Sequence, residues 1–296
     1  MEKLVLIDGN AIVHRAFHAL PPFKTKKGEL VNAVYGFTSM LLNILLNEEP
    51  DYIAVSFDKA KKTFRHEKYE DYKATRIKAP QELYDQFPKI KELVETFNIP
   101  IYEIDGYEAD DVLGTLAKQA EKEDIKTYIM TGDLDTLQLV TDKTFVLTPF
   151  KGFKETIKYD YQKVMAKYGL SPSQIPDLKG LMGDSSDNIP GVYGIGEKTA
   201  ISLLQKYKSI DGVYENLDEI TGAVHDKLEA GKDKGFFSRE LATIVLDVPL
   251  KLDLGACRAH NFDYSKIKEL FKELEFHSLI KRLDNFTETV AQQHLF

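Results

Sequence analysis

Short runs of apolar residues recur along the first half of the chain, separated by longer segments in which apolar residues follow a helical spacing. The runs occupy residues 4–7, 52–55, 99–102 and 127–130. Near-continuous apolar runs of this length are typical of strands buried on both faces. Because helical segments lie between them, the pattern predicts an α/β fold with a mostly parallel central sheet flanked by helices.

Helical spacing is clearest over residues 30–47, 80–97 and 108–121, whose apolar stripes are most simply explained as core. Residues 144–158 predict a hairpin at the sheet edge, with Lys151-Gly152 at its turn. Beyond about residue 165, helical segments separated by Gly and Pro dominate. We therefore predict an α/β core over 1–165 and a helical region over 166–296. No tandem repeat is visible, which excludes solenoid folds.

Nine acidic residues fall in five short clusters, each of which is expected where an apolar, strand-like run ends. The set consists of Asp8, Asp58, Glu108, Asp110, Asp111, Asp133, Asp135, Asp184 and Asp187. Ligands of open parallel sheets bind beyond the carboxyl ends of the strands, where these acids are expected. Any one of them can be explained as a helix cap or a turn residue. Their recurrence at successive strand ends favours a shared site.

The negative charge of such a set limits the kinds of ligand that it can bind. Two like charges about 4 Å apart repel by roughly 4 kcal/mol at an effective dielectric near 20, so converging carboxylates require cations. All the candidate ligands are hard oxygens, with no paired Cys and no His at metal-binding spacing beside them. This chemistry favours Mg²⁺ or Mn²⁺ over Zn²⁺.

The composition indicates a compartment. The chain of 296 residues contains one cysteine, Cys257, which excludes an intrachain disulfide and fits a reducing cytosol. Its first residues enter the first predicted strand directly, and it has no apolar run long enough to span a membrane. We expect a soluble cytoplasmic protein without a membrane partner.

The net charge of −8 argues at first against nucleic acid as a partner, but the charge is unevenly distributed. Residues 59–79 carry eight basic side chains against three acidic ones, a local charge of +5. Phe64, Tyr69 and Tyr72 lie among these bases, and residues 64–72 have helical spacing. Interleaved basic and aromatic residues suit a surface that follows phosphates and stacks bases. A solvated helix face is the alternative.

A glycine motif follows the last acids. Gly191, Gly194 and Gly196 precede Lys198, but Glu197 separates the last glycine from that lysine, so the Walker pattern of NTPases is not met. The segment from about 184 to 207 instead predicts a helix-hairpin-helix whose backbone can approach phosphates closely. An ordinary helix–helix turn is the alternative.

Several motifs, taken together and in this order, closely resemble the bacterial 5′ nuclease (flap endonuclease) family, which includes the N-terminal 5′→3′ exonuclease domain of bacterial DNA polymerase I. They are Leu6-Ile-Asp-Gly-Asn10, Phe57-Asp58, Thr63-Phe-Arg-His-Glu67, Tyr72-Lys-Ala-Thr-Arg76, Gly106-Tyr-Glu-Ala-Asp-Asp111, Thr131-Gly-Asp-Leu-Asp135 and Gly183-Asp-Ser-Ser-Asp-Asn-Ile-Pro-Gly-Val192. The resemblance implies structure-selective, metal-dependent cleavage of DNA at 5′ ends and 5′ flaps, in replication and repair.

The resemblance also implies roles for the acids. Asp8, Asp58, Glu108 and Asp110 would hold one metal ion, and Asp133, Asp135, Asp184 and Asp187 the second, more exposed one. Asp111 would lie between or behind them. Two such ions can activate a water and stabilise the leaving oxygen of an in-line displacement at phosphorus. No acid of the set is missing, so full activity is expected.

DNA contacts follow from the same resemblance. Residues 59–85 would form the helical arch of the family, with Lys73 and Arg76 clamping the scissile phosphate and Tyr72 stacking on the adjacent unpaired base. The implied DNA-binding set is Arg15, Arg65, Tyr72, Lys73, Arg76, Gly191, Gly194, Gly196 and Lys198. The helix-hairpin-helix would grip the duplex backbone, and in relatives it often binds K⁺.

The C-terminal end of the chain allows two further predictions. No polymerase domain follows in this sequence, so a stand-alone nuclease or an excised module is expected, acting as a monomer. The last five residues, which include Gln292, Leu295 and Phe296, resemble peptides that bind bacterial sliding clamps, and a frayed terminus is the alternative. A non-catalytic DNA-junction binding protein and an RNA-directed nuclease are the competing functions. The sequence leaves the preferred 5′ structure open.

Overall fold

The computed structural model describes residues 1–59, 61–150 and 155–293, with side chains as far as residue 285. Its centre is a six-stranded sheet with the order β3-β2-β1-β4-β5-β6. The strands are β1 Lys3–Asp8, β2 Tyr52–Ser56, β3 Ile101–Tyr102, β4 Lys126–Met130, β5 Thr144–Phe150 and β6 Glu155–Tyr159. Strands β1 to β5 are parallel, and β6 pairs antiparallel with β5. The predicted parallel sheet and the edge hairpin are confirmed, while its predicted turn at Lys151-Gly152 lies outside the described residues.

The sheet register brings the carboxyl ends of the central strands to one edge. Leu4 of β1 is paired with Tyr52 of β2 and with Thr127 of β4, so the three strands end almost level with one another. All five residues of β2 and the last five of β1 are buried, as expected for strands covered on both faces. Side chains that follow these strands therefore meet at the same edge.

Thirteen α-helices are present in the described part of the chain. They are α1 Gly9–Ala19, α2 Asn32–Asn43, α3 Phe64–Lys68, α4 Gln81–Tyr84, α5 Phe87–Thr96, α6 Ala109–Lys122, α7 Tyr161–Tyr168, α8 Ile175–Met182, α9 Glu197–Tyr207, α10 Ile210–Glu215, α11 Ala223–Ala242, α12 Tyr264–Glu273 and α13 His277–Gln293. The helix predicted over 80–97 is split into α4 and α5. Pro88 lacks the N–H that would bond the carbonyl of Tyr84, which interrupts the helix there. No helix among the described residues is long and apolar enough to cross a membrane.

Three large hydrophobic cores and one small one are present among the described residues. Helices α1, α2 and α5 cover one face of the sheet, and α6 with residues 244–257 covers the other. Helices α8 to α11 enclose a third core of their own. The predicted helical region 166–296 is therefore not a single packing unit, because α12 returns to the sheet. Its Ile267 and Phe271 share the first core with Ile53.

In the segment 59–85, predicted as a helical arch, the described residues, which are all but residue 60, contain only the short helices α3 and α4. Tertiary contacts explain the turns between them. Lys73 adopts a positive φ of 57°, and its N–H donates to the carbonyl of Asp187 at 2.9 Å. The Asn188 side chain donates to the carbonyl of Asp71 at 2.8 Å. The segment is thereby held against the loop that follows α8.

Candidate functional site

A cleft of about 320 Å³ opens at the carboxyl edge of the central strands. Five of the predicted acids line it together with two predicted basic residues. They are Asp8, Asp58, Glu108, Asp110, Asp133, Lys73 and Arg76. The structure therefore brings together side chains whose positions in the sequence span 126 residues, from 8 to 133.

Local hydrogen bonds fix the carboxylates at the back of the cleft. Asp8 ends β1 and caps α1, accepting from the Ala11 N–H at 2.9 Å and from the Thr131 hydroxyl at 2.7 Å. Asp58 accepts from the N–H of Ala109 at 2.7 Å, which links the end of β2 to the start of α6. Glu108 is the N-cap of that helix. Strand ends and helix starts thus orient the acids before any ligand is present.

Burial, followed by repulsion between neighbouring carboxylates, raises the pKa of several of these acids. Burial, with repulsion from Asp58 and Asp133 adding to it, raises the pKa of Asp8 to about 7. The pKa of Asp110 is also well above its ordinary value, first through burial and then through repulsion from Asp8 and Asp133. Surrounding protein atoms raise the pKa of Asp58 too, although its carboxylate faces the open cleft. These carboxylates need positive charge that the protein supplies only in part.

Basic side chains from the 59–85 segment reach into the cleft. The Lys73 ammonium donates to Glu108 Oε1 at 2.8 Å. Arg76 forms an ion pair with Asp187, and its Nε donates to the carbonyl of Ser186 at 3.4 Å. The structure places both residues where the sequence predicted them, beside the acids.

A second acidic group lies between α8 and the turn after β4. Lys179 of α8 forms ion pairs with both Asp135 and Asp184. Burial and repulsion from Asp133 raise the pKa of Asp135 to about 6. Burial opposes ionisation of Asp184, but Lys179 and Ser186 outweigh it and lower the pKa of Asp184 to about 2. Sequence reasoning missed Lys179, which carries no motif and stands in an ordinary amphipathic helix.

The predicted division of the acids into two metal sets is not visible as two separate clusters. Asp133 lines the cleft with Asp8, whereas Asp187 approaches Glu108 through the hydroxyl of Tyr72, which lies 3.2 Å from an oxygen of each. Among the described residues, no group of three or more His, Cys, Asp or Glu side chains is arranged to hold an ion as it stands. The donor set nevertheless fits a hard divalent cation, since it consists of carboxylates, and such a charge would lower the raised pKa values of Asp8 and Asp110.

The structure disagrees with the predicted DNA contact of Arg65 and with Asp111 as a metal ligand, although Asp111 does lie behind the other acids, as was also predicted. Arg65 is 2% exposed, and its guanidinium donates to both carboxylate oxygens of Asp111. It also donates to the carbonyls of Leu241 and Thr243, each at 2.8 Å. Asp111 is fully buried and accepts in addition from the N–H of Val245 at 2.8 Å. The two residues form a buried structural pair, so Arg65 does not face DNA and Asp111 does not face a metal.

Tyr72 also differs from its prediction. Its side chain is 4% exposed, and it packs edge-on against His66 with ring centroids 5.2 Å apart. A ring in this position offers no face to an unpaired base. The hydroxyl between Glu108 and Asp187 gives Tyr72 a positioning role within the acidic group instead.

Arg15 and Lys198, two further predicted DNA contacts, lie on the surface. Arg15 is exposed on α1. Asn10 and His14 line the cleft from the same helix, although neither was among the predicted site residues. Asn10 accepts from the N–H of Asp58 at 3.0 Å and so joins the ends of β1 and β2. Asn10 belongs to the first motif of the family resemblance, whereas the only signal for His14 was its position in the second turn after Asp8.

The glycine motif forms the predicted hairpin between α8 and α9. Gly191 and Gly194 have φ values of 62° and 80°, which side chains rarely adopt. A Cβ at Gly191 would lie 2.2 Å from the backbone nitrogen of Gly183. Gly196 directly precedes α9, which begins without a side-chain cap, and Lys198 is exposed in its first turn. The predicted helix-hairpin-helix is confirmed as architecture, but its first helix, α8, lies before the predicted start near residue 184.

The predicted clamp-binding tail cannot be placed in the fold. Leu295 and Phe296 lie outside the described residues, and of Gln292 only the backbone, within α13, is described.

Acidic and basic side chains thus lie together at the edge of a parallel sheet, beside a helix-hairpin-helix, and this arrangement suits a nuclease family. Residues 3–169 match the family described as 5'-3' exonuclease, N-terminal resolvase-like domain. Residues 170–265 match the one described as 5'-3' exonuclease, C-terminal SAM fold. The chain belongs to the 5′–3′ exonuclease family, which confirms the resemblance seen in the sequence.

Relatives extend this result. DNA polymerase I of Bacillus subtilis is 47% identical over 283 residues, which are 95% of this chain and 32% of that protein. DNA polymerase I of Mycobacterium tuberculosis (strain ATCC 25618 / H37Rv) is 44% identical over 282 residues, 95% of this chain and 31% of that protein. The chain thus spans about a third of the length of these curated relatives.

Solved structures share the fold. The bacteriophage T5 flap endonuclease D15, in a complex with DNA and metal ions, has a TM-score of 0.66 at 22% identity and covers 98% of each chain. The catalytic core of Rad2 in complex with DNA substrate has a TM-score of 0.61 at 16% identity, covering 95% of this chain and 92% of that one. At these identities the likeness concerns the fold alone.

Proposed function

We propose that this chain is a structure-selective 5′→3′ exonuclease and 5′-flap endonuclease that hydrolyses DNA phosphodiesters with two divalent metal ions. One observation carries the proposal. Carboxylates with raised pKa values, Asp8 and Asp110 foremost, share one cleft with Lys73 and Arg76. The acidic cleft needs more positive charge than Lys73 and Arg76 supply, and these two side chains are suited to binding phosphate. Both properties suit metal-assisted cleavage of a phosphodiester.

The residues that would hold the ions are Asp8, Asp58, Glu108, Asp110 and Asp133 in the cleft, with Asp135, Asp184 and Asp187 beside it. The bound ions supply activation of water and stabilisation of the leaving oxygen. The chain contributes orientation. Hydrogen bonds from Thr131 and Ala109 hold the carboxylates of Asp8 and Asp58, so little reorganisation is needed when charge arrives.

Lys73 and Arg76 would change partners when the site is loaded. They now neutralise Glu108 and Asp187. The ammonium and the guanidinium would then bind non-bridging phosphate oxygens, with arginine suited to two-pronged contact. There they would stabilise the negative charge that develops as water attacks phosphorus and one P–O bond breaks.

A labelled 5′-flap DNA incubated with Mg²⁺ tests the proposal. We expect the parent to cleave near the junction, and Asp58→Asn and Lys73→Ala to lose roughly a hundredfold or more in rate, as removal of one preorganised charge commonly costs. Lys61→Ala is the matched control. Its side chain lies in the same basic segment but is 69% exposed and paired with Asp105, so its rate should stay near that of the parent.

The same assay separates the competing functions. Binding without cleavage by the parent would support the non-catalytic DNA-junction binding protein. Preferential cleavage of a matched RNA flap would support an RNA-directed nuclease. A nicked and an unbranched duplex, run beside the flap, report the balance of exonuclease and flap activity.

Further elements of the proposal concern cofactors and partners. Mg²⁺ would be the working ion, with Mn²⁺ able to substitute, and K⁺ is a candidate at the helix-hairpin-helix. The chain would act as a cytoplasmic monomer on flapped, nicked or branched DNA during primer removal and repair. Gln292, Leu295 and Phe296 would bind a sliding clamp, and that idea requires clamp binding to be lost when residues 292–296 are deleted.

A further inference from the structure

The second acidic group is assembled from two parts of the fold. Asp135 belongs to the short 3₁₀ helix Leu134–Leu139, which follows β4, whereas Asp184 follows α8. Helix α8 packs mainly in the third hydrophobic core. Lys179 pairs with both carboxylates, but a cation that binds them must displace it. Another contact is therefore needed to keep the two acids opposite each other when the site is loaded.

The side-chain amide of Gln138 makes a contact of this kind. Its Nε2 donates to the carbonyl oxygens of Asp135 and Ala242, each at 3.0 Å. Its Oε1 accepts from the N–H of Ile244 at 2.9 Å. Ala242 is the last residue of α11, so one neutral side chain bonds the backbone of Asp135 to the end of that helix. Both N–H donors of the amide are used in this bridge.

Helix α11 continues the connection towards Asp184. It packs so closely against α8 that a Cβ at Gly180 would lie 3.0 Å from the carbonyl oxygen of Gly235. Helices in such close contact do not slide past each other freely, because protein interiors are packed as densely as organic crystals. Asp184 stands two residues beyond the end of α8. The bridge of Gln138 and the two packed helices thus connect Asp135 with Asp184 without using a charge that a cation would displace.

We propose that Gln138 is a positioning residue for the second metal ion, because it holds Asp135 in place relative to Asp184. This inference rests on the proposed function, which assigns both acids to that ion. A 3₁₀ helix of six residues needs support from outside, since its hydrogen-bond geometry is poor and runs longer than about four residues are uncommon. Gln138 acts through Asp135 and is not one of the residues that line the acidic cleft.

Gln119 of α6 offers a matched control. Its amide makes a similar bridge, donating to the carbonyl oxygen of Leu250 at 3.0 Å and accepting from the N–H of Leu252 at 2.8 Å. These bonds hold the chain segment that follows α11, as those of Gln138 do, but they involve none of the predicted acids. Gln119→Met therefore reports the structural effect of losing a bridging amide, without an effect on the acids.

The test measures Mn²⁺ binding to the metal-free protein by electron paramagnetic resonance. We expect Gln138→Met to bind one of its two Mn²⁺ ions about tenfold more weakly, a loss typical of removing the support of a metal ligand. Gln119→Met should bind both ions like the parent. Urea unfolding, measured beside it, shows that both variants are folded under the conditions of the binding experiment.

A second measurement uses single-turnover cleavage of a 5′-flap DNA at saturating protein. Gln138→Met should need several-fold more Mg²⁺ than the parent for its half-maximal rate, and its rate at saturating Mg²⁺ should approach that of the parent. A bound ion restores the arrangement that the amide supported, so the defect lies in binding the ion. Gln119→Met should need as much Mg²⁺ as the parent.

The outcomes separate the inference from the proposed function. If Gln138→Met binds Mn²⁺ like the parent, or if both variants lose the same affinity, Gln138 has only a structural role and the inference is overturned. A parent that binds a single ion also overturns it, since no second ion is then positioned. In these cases the nuclease function stands as long as the parent cleaves the flap. A parent that binds no Mn²⁺ and cleaves no flap DNA overturns the proposed function, and the inference with it.

Discussion

The guanidinium of Arg65 forms a two-pronged ion pair with the carboxylate of Asp111, with N–O distances of 2.7 and 2.8 Å. The pair is almost completely buried below the acidic cleft. It joins α3, and so the basic segment, to the first turn of α6. The additional hydrogen bonds from Arg65 to Leu241 and Thr243 extend the same link to the end of α11. The base of the 59–85 segment is thus anchored by a charge pair that is itself buried.

Removing one partner of this pair should strongly destabilise the fold. Arg65→Met leaves the Asp111 charge buried and uncompensated, which commonly costs about 3–5 kcal/mol. Lys68→Met is the control. It removes a lysine from the same helix whose exposed pair with Glu240 is worth roughly 0–1 kcal/mol. Urea unfolding gives both free energies, and equal losses in the two variants would contradict the structural role of Arg65.

The metal-free protein should lose stability as pH rises from about 4 to about 7. The pKa of Asp8 is raised from its ordinary value of 3.8 to about 7, so the folded state holds this proton more tightly than the unfolded state. The resulting stabilisation is present at low pH and is lost through this window, and it amounts to roughly 2–4 kcal/mol. Asp110, whose pKa is also raised, should add to the same trend.

Unfolding in urea with EDTA at pH 5 and pH 8 measures this change. Asp8→Asn carries no titrating group at that position, so we expect a weaker pH dependence and greater metal-free stability at pH 8. Addition of Mg²⁺ should also flatten the pH dependence, because a cation stabilises the ionised carboxylates. A parent that is as stable at pH 8 as at pH 5 would disprove the crowding of these acids.

Lys179 should compete with divalent ions for Asp135 and Asp184. Its ammonium pairs with both carboxylates, so an ion that binds them must displace it. We expect Lys179→Met to bind Mn²⁺ at this pair at least tenfold more tightly, equivalent to about 1.4 kcal/mol. The metal-free variant should also be less stable, since two carboxylates lose their counter-charge.

Electron paramagnetic resonance of free Mn²⁺ counts the bound ions and gives their affinities. Lys179→Arg, which keeps the charge, should behave like the parent. Unchanged Mn²⁺ affinity in Lys179→Met would mean that the lysine stays in place beside a bound ion.

Tyr72 offers a test between the sequence prediction and the structure. If its ring stacked on a base, Tyr72→Phe would be nearly silent. The structure instead places the hydroxyl 3.2 Å from both Glu108 and Asp187. We expect Tyr72→Phe to lower the free energy of unfolding by about 0.5–1.5 kcal/mol, the usual contribution of a hydrogen bond. Urea unfolding measures this change, with Tyr84→Phe on the partly exposed tyrosine of α4 as control. If stacking were the role of Tyr72, both variants would be as stable as the parent.

Much of the fold was predictable because its signals are local. Apolar runs in strands buried on both faces identify themselves in the sequence, and the parallel order follows from the helices between them. Asp8 and Asp58 were placed correctly because parallel strands end at a common edge. The hairpin was predictable for a similar reason, since Gly191 and Gly194 adopt backbone angles that glycine tolerates best.

The sequence alone therefore determined the sheet, the acids at its edge and the glycine hairpin. Only the tertiary structure decided which charged side chains remain accessible to a ligand. Arg65 and Arg76 look alike in the basic segment, yet Arg65 is buried by carbonyls 176 and 178 residues away, whereas Arg76 reaches the cleft. Lys179 likewise owes its two ion pairs to residues that folding brings close to it. The environment of a charge depends on distant backbone that folding brings together, and no local pattern contains that information.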